Sequence, residues 1–362
     1  MSGTQVNETH RRAVRAWLLV AAAMIFLTLI VGGATRLTES GLSIVEWKPV
    51  TGVVPPLSAS EWQSEFEKYQ QIPQYREMNR GMDLAAFKTI YWWEWTHRVL
   101  ARSVGAVFLL PFLFFLWRGW IEPHLRARLW TILGAGLALG VVGWWMVSSG
   151  LTGDRTSVSQ YRLAFHLTLA CAIYMAILWT AQSLKPRDIA EAPAGLRITA
   201  AVLALLVLGQ IYLGALVAGT HAGLIYNTWP LIDGAFIPDT TQLLFAHPAW
   251  RNFFENTLTV QFDHRMLAYL IWIVAVLNAF AARRSPAASR SALLLALVVT
   301  LQAALGIVTL LLQAPLDASL THQGFAIVVL TVAVIHAERV ARRGRAAPAS
   351  QAAPSFAIGA PR

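Results

Sequence analysis

The chain has 362 residues, of which 56% are hydrophobic and 13% charged. Soluble domains carry about 25% charged residues, so the polar surface here is too small to cover a water-soluble globule. A net charge of +10 would suit nucleic acid, but the basic residues lie in short clusters between apolar runs and offer no nucleic-acid site.

Eight apolar runs, most of about 20 residues, are each long enough to cross a bilayer as helix. They fall at 14–35, 95–117, 129–149, 163–183, 197–218, 265–283, 291–312 and 323–341. The first is too long for a signal-peptide core, has no evident cleavage site and reads as a retained span. Arg11, Arg12 and Arg15 stand at its start. The loop that follows, 37–93, is long and rich in aromatic and charged residues, a length typical of a lid or docking surface. Arg118, Arg126 and Arg128 separate runs two and three. Run four holds Cys171, the only cysteine, which excludes an intrachain disulfide and reads as a small apolar residue. Lys185, Arg187 and Arg197 separate runs four and five; Arg283, Arg284 and Arg290 separate six and seven. Arg339, Arg342, Arg343 and Arg345 close the eighth, before an Ala/Pro-rich tail expected to be disordered. With eight spans, all these clusters lie on one side, so both termini are expected in the cytoplasm.

The chain repeats itself. Run two begins "THRVLA" and run six "DHRMLA"; run three contains "ALGVV" at 138–142 and run seven "ALGIV" at 304–308. Run four opens "AFHLTLA" and run eight "LTHQGFA"; runs one and five end in "GGATRL" and "VAGTHA". The expected fold is therefore all-α and polytopic: eight transmembrane helices as two tandem four-helix bundles, related by a pseudo-twofold axis along the membrane normal. The boundaries are a cytoplasmic tail 1–13, an N-terminal half 14–185 with its outer loop 37–93, a C-terminal half 186–341 and a cytoplasmic tail 342–362.

His97, His166, His264 and His322 sit near the starts of runs two, four, six and eight, all near the outer face. Ionisable groups inside spans are functional candidates. Within each half the two histidine-bearing spans are parallel and share one bundle interior, so their imidazoles can meet at a six-coordinate haem iron. A zinc site would want further Cys, His or acidic ligands. His10, His124, His247 and His336 read as solvated residues of tails, loops or span ends. Arg98 and Arg265 follow ligand candidates directly and suit haem propionates. Arg36 and His221 occupy equivalent places after spans one and five, where either could approach a haem edge.

The halves differ at one position. Glu94 precedes His97 by three residues, where Gln261 precedes His264. An i, i+3 pair shares a helical face, so a carboxylate stands over the first site and a neutral amide over the second. A carboxylate beside an iron centre can relay protons. The first half thus reads as reactive, the second as electron-transferring or structural.

The segments "EWTHRVLAR", "MVSSGL…VSQYRLAFHLTLA", "GALVAGTHAGLIYNTWPLIDG", "QFDHRMLAYL" and "THQGFA" resemble the haem A synthase family over about residues 14–340. The resemblance implies an oxidoreductase that converts the C8 methyl group of haem O to a formyl group, by two hydroxylations and loss of water, giving haem A for aa3-type cytochrome c oxidase. It implies that His97 and His166 flank the substrate haem with Glu94 as catalytic acid, and that His264 and His322 ligate a permanent haem b. It implies a bacterial inner-membrane location, haem sites near the periplasmic face, and partnership with haem O synthase and oxidase assembly factors; a homo-oligomer is left open. The outer-loop cysteine pair of some members is missing here, which places the chain with the proteobacterial and mitochondrial type and leaves the electron donor and oxygen source open. A bis-histidine electron-transfer cytochrome b and a haem carrier are the rival readings.

Overall fold

Eight helices long and apolar enough to cross a membrane dominate the computed structural model, which describes residues 7–186 and 191–342. They are α1 (Glu8–Leu37), α2 (Leu84–Trp117), α3 (Pro123–Ser148), α4 (Gln160–Ser183), α5 (Ala194–Thr220), α6 (Thr257–Ala282), α7 (Ser289–Leu311) and α8 (Leu316–Ala341). Short helices punctuate the two outer loops, and no β-strand occurs among the described residues. The protein is a multi-pass helical membrane protein. Arg187, Arg343, Arg345 and the Ala/Pro-rich tail lie outside the described residues.

Several helices outrun their apolar segments, because an apolar run marks only what must avoid water, whereas a helix continues to its cap. Asn7 accepts a hydrogen bond from Thr9 N (3.0 Å), Asp83 from Ala86 N (2.8 Å) and Asn256 from Leu258 N (3.0 Å), each meeting a backbone donor that the first turn leaves free. Helix α2 therefore starts at Leu84, and the outer connection spans 38–83 rather than 37–93. Its added turns are amphipathic. Phe87 and Tyr91 turn inward against Trp62, Phe66 and Tyr69 of the loop helix Ala59–Tyr69. A capping box between Ser58 and Glu61 starts that loop helix.

Both halves share one pattern of neighbours. In the first, α1 touches α2 and α4, and α3 touches α2 and α4; in the second, α5 touches α6 and α8, and α7 touches α6 and α8. The halves meet where α4 lies on α5 and α8, and where α8 lies on α1. Close approach at this seam uses small residues. A Cβ at Gly33 would run into the Gln323 side chain, and Gln323 Nε2 donates to Leu29 O at 2.8 Å. Tyr174 on α4 and Thr331 on α8 exchange a hydroxyl bond of 2.7 Å.

The largest apolar cluster draws on the basic end of every spanning helix, from Val14–Leu29 of α1 to Ile327–Val340 of α8, and includes Cys171. Toward the other end α3 has no buried residue beyond Ile132 until its terminus, and α2 has none between Glu94 and Phe108. The bundle is packed tight at one end and loosely at the other.

His336 departs from the solvated reading. It is fully buried near the basic end, with Nε2 at 3.1 Å from Asn278 Nδ2 and Nδ1 at 2.9 Å from Ser291 Oγ. The basic cluster that follows it in sequence hides this, because the helix face it occupies turns inward. Replacing Phe87 by Ala should cost about 3–5 kcal/mol in the outer-loop cluster. Limited proteolysis should then cut within 38–83 faster while the spanning helices survive; an unchanged rate would mean the loop is held by other contacts.

Candidate functional site

The four histidines lie at the loosely packed end, one on each even-numbered helix: His97 on α2, His166 on α4, His264 on α6 and His322 on α8. Each imidazole rests on a glycine of the helix before it. A Cβ would stand 2.8 Å from His97 Cε1 at Gly32, 3.0 Å from His166 Cε1 at Gly143, 3.2 Å from His264 Cε1 at Gly214 and 2.8 Å from His322 Cε1 at Gly306. A side chain at Gly32 or Gly306 would force a ring to shift, and one at Gly143 or Gly214 would crowd it by a few tenths of an ångström. Within each half the two histidine-bearing helices belong to the same ring of four neighbours.

These seats correct the register read from the repeat. The strings "ALGVV" and "ALGIV" align Gly140 with Gly306, but a Cβ at Gly140 would meet nothing within 4 Å, and Gly143 is the residue under His166. Leu/Ala/Gly text is common on packed helices, and the imidazole decides which glycine matters. Gly32 and Gly214 likewise replace the alignment of the two helix ends.

The second-half rings have amide neighbours. Gln210 Nε2 lies 3.1 Å from His264 Nδ1 and 3.3 Å from its Nε2, and donates to His264 O at 2.9 Å. Gln302 Nε2 lies 3.2 Å from His322 Nδ1 and donates to His322 O at 3.0 Å. The sequence reading missed both. Their signal was a Gln-x-x-x-Gly spacing on α5 (Gln210, Gly214) and again on α7 (Gln302, Gly306), which puts amide and seat on one face.

Glu94 and Gln261 occupy equivalent buried places, 2% and 3% exposed. Glu94 Oε2 accepts from Ser43 Oγ and Ile44 N, both at 2.7 Å, while Oε1 accepts from Arg98 Nε at 3.0 Å. Arg98 also donates to Ile44 O (2.8 Å) and Glu46 O (3.1 Å). In the second half Gln261 donates to Tyr226 O (3.4 Å), and Arg265 to Tyr226 O (3.0 Å) and Leu231 O (3.3 Å). Both arginines therefore clasp the outer loop of their own half, a role absent from the sequence reading. Ser43, a second polar partner of Glu94, was also missed; nothing in the loop's composition distinguishes it.

Arg36 and His221 meet each other across the seam between halves, with Arg36 Nη2 at 3.1 Å from His221 Nε2 and 3.0 Å from Ala218 O. His221 ends α5 in the left-handed region, at φ 55°. Burial, and then the Arg36 charge, hold its pKa below the usual imidazole value.

Among the described residues no three His, Cys, Asp or Glu converge as a metal site. The donors come instead as imidazole pairs. Two imidazoles are the kind of donor set that a haem iron takes at its two axial positions.

Residues 15–334 match the COX15-CtaA family, described as cytochrome oxidase assembly protein. The chain belongs to that family. The matched stretch contains both histidine pairs, Glu94 and all four glycine seats. Similar proteins named heme A synthase include one from Rhodopseudomonas palustris (strain TIE-1), 58% identical over 90% of this chain and 89% of that protein. Another, from Bradyrhizobium diazoefficiens (strain USDA 110), is 58% identical over 92% of each chain. A third, from Rhodopseudomonas palustris (strain BisB5), is 55% identical over 98% of each. Replacing Gly306 by Ala should force the His322 ring off its seat and lower the thermal unfolding midpoint of the purified protein. An unchanged midpoint would show that the seat tolerates a methyl group.

Proposed function

We propose that this chain oxidises the C8 methyl group of haem O to a formyl group, producing haem A for an aa3-type cytochrome c oxidase. Membership of the family, with relatives named heme A synthase, supports the reaction class. The observation that carries the division of labour is buried Glu94 at the position where the second half has Gln261. An electron-carrying bis-histidine cytochrome has no use for that inequality.

In this reading the neighbour rings α1–α4 and α5–α8 are tandem four-helix bundles related by a pseudo-twofold axis along the membrane normal. His97 and His166 hold the substrate haem in the first bundle, and Glu94 is its catalytic acid. His264 and His322 hold a resident haem b in the second, which supplies one-electron redox chemistry when bound. The methyl carbon loses four electrons to an external oxidant in two hydroxylations, from R–CH3 to R–CH2OH to R–CH(OH)2, and loss of water from this diol leaves the formyl group. The protein's part is to orient the macrocycle by its iron, to keep water out and to manage protons. Glu94 is equipped for the last: its carboxylate touches the Ser43 hydroxyl, a contact through which a proton can pass to the outer loop. Arg98 and Arg265 hold the outer loops in place over the two sites, and the first loop, the longer, closes the substrate side. Propionate contact by the same arginines requires them to share donors with these loop carbonyls.

The positive-inside pattern supports an orientation with both termini in the cytoplasm and the histidine end toward the periplasm of the inner membrane, in which haem O reaches the first bundle laterally from the outer leaflet. The chain is of the type without an outer-loop cysteine pair. Haem O synthase and oxidase assembly factors are the expected partners.

Two measurements test this. Coexpressed with haem O synthase, the Glu94→Gln variant should retain the low-spin haem b spectrum and yield no haem A on chromatography of extracted pigments; wild-type haem A would remove Glu94 from catalysis. His264→Ala or His322→Ala should abolish the low-spin haem b spectrum, and an unchanged spectrum would move the resident haem to the first half.

A further inference from the structure

The two halves differ most in how their second helix meets their third. Helix α6 lies closely along α7, whereas α2 and α3 touch sparingly. The repeat shows why. Aligning His97 with His264 pairs Gly105 of α2 with Trp272 of α6, and aligning the seats Gly143 and Gly306 pairs Leu137 of α3 with Thr300 of α7. In the second half the Trp272 indole reaches across to α7 and donates to Thr300 Oγ1 at 3.1 Å. Ile271, Val298 and Val299 are buried on the same two helices. Their first-half counterparts are Val104, Ala135 and Gly136, none of them buried. A Cβ at Gly105, Gly136 or Gly140 would meet nothing within 4 Å, and Leu137 is 70% exposed.

The gap between α2 and α3 is bounded at both ends. Toward the basic side Phe112 of α2 meets Trp130 of α3 edge-on, with ring centroids 4.8 Å apart. Toward the outer side Trp47 of the loop stacks on Trp144 of α3 at 5.6 Å. Arg102 of α2 holds that stretch of loop by donating to Lys48 O (2.8 Å) and Pro49 O (2.9 Å). Trp130 and Trp144 stand about 21 Å apart along α3, at about 1.5 Å per residue. Gly140 and Gly136 follow Gly143 down α3 at spacings that share its face. Gly143 seats His166, whose Nδ1 is buried and without a hydrogen-bond partner. Both α2 and α3 stand away from the seam between halves, so the gap leads from the first histidine pair to the lipid.

We infer that the α2–α3 gap receives the isoprenoid side chain of haem O, and that Trp272 excludes such a chain from the second site. This rests on the reading of the first half as the substrate site. Haem O differs from haem b by a long isoprenoid alcohol chain where haem b has a vinyl group. A tightly packed helix pair has no room for that chain. It needs an apolar channel of its own length, starting at the porphyrin edge and open to the bilayer through which the pigment comes and goes. The first half has such a channel. The Trp47–Trp144 stack closes it toward the headgroups, which favours a chain attached to a porphyrin over the tail of a bilayer lipid. In the second half the same chain would run into Trp272, and obstruction of this kind discriminates between ligands that share a macrocycle. One scaffold thus separates a tailed haem from a tailless one by what stands at Gly105 and Trp272.

The test uses the full chain purified from cells without haem O synthase, so that it carries only haem b, then exposed to an equimolar mixture of haem O and haem b. Chromatography of the extracted pigments reads the uptake. The wild type should take up haem O in preference to haem b. Gly105→Trp, alone and with Leu137→Thr, should lower haem O uptake about ten-fold while the low-spin haem b spectrum of the second half is unchanged. Unchanged uptake in both variants would overturn the inference. If neither variant accumulates, Trp272→Gly decides: prepared from cells that make haem O, it should carry more haem O per chain than the wild type, and an equal content would overturn the inference. A wild type that prefers haem O yet makes no haem A would overturn the proposed reaction and leave the gap's role standing. A wild type that makes haem A yet takes up both pigments equally would overturn the gap's role alone.

Discussion

Four times in this bundle an imidazole fills the space that a neighbouring helix leaves by having no Cβ. An aromatic ring carried on one helix can lie within van der Waals distance of the next helix only where that helix is bare, and Gly32, Gly143, Gly214 and Gly306 supply the bare places. Each seat belongs to an odd-numbered helix and each ring to the even-numbered helix that follows. The consequence is geometric. Rings from α2 and α4, and from α6 and α8, are set in one bundle each, at the end where close apolar packing gives out. That packing at the basic end holds the helices in register, so the looser end can be given over to a large apolar group without the bundle losing its definition.

On this shared scaffold the two sites diverge through few residues. A carboxylate and an amide trade places at Glu94 and Gln261; amides stand at Gln210 and Gln302 where the first half has Thr28 and Leu139. The first site has a buried carboxylate, and the second has amides beside its rings. Both keep an arginine, Arg98 or Arg265, that reaches up to the carbonyls of its own outer loop. The seam joins the sites directly. Adjacent residues of α1 face in two directions, Gly32 toward His97 and Gly33 toward Gln323, the neighbour of His322. A displacement of α1 at this point bears on both halves.

Much of this was legible in the sequence, because bilayer physics leaves few alternatives. Eight long apolar runs and sparse charge require spanning helices, and the His-Arg pairs of runs two and six expose the duplication. The Glu94/Gln261 difference was readable from the repeat alone. What the letters could not supply was contact across helices. Gly140 and Gly143 are equally good glycines until the ring of His166 chooses one. Gln210 and Gln302 look like ordinary polar residues in apolar helices until the histidines beside them are seen. His336 followed by a basic cluster looks solvated, yet its face of α8 turns to Asn278 and Ser291. Helix ends were misjudged for a different reason: caps such as Asp83 and Asn256 lie outside the apolar windows that locate a span.

The account depends on each half gripping one porphyrin through its own histidine pair. The most direct measurement is an experimental structure of the pigmented protein in lipid, prepared from cells that make haem O. It should reveal two macrocycles per chain, one with its iron between His97 and His166 and the other between His264 and His322, both at the end away from the basic clusters. A single macrocycle at the seam between halves, or an iron held by any other pair of side chains, would contradict it.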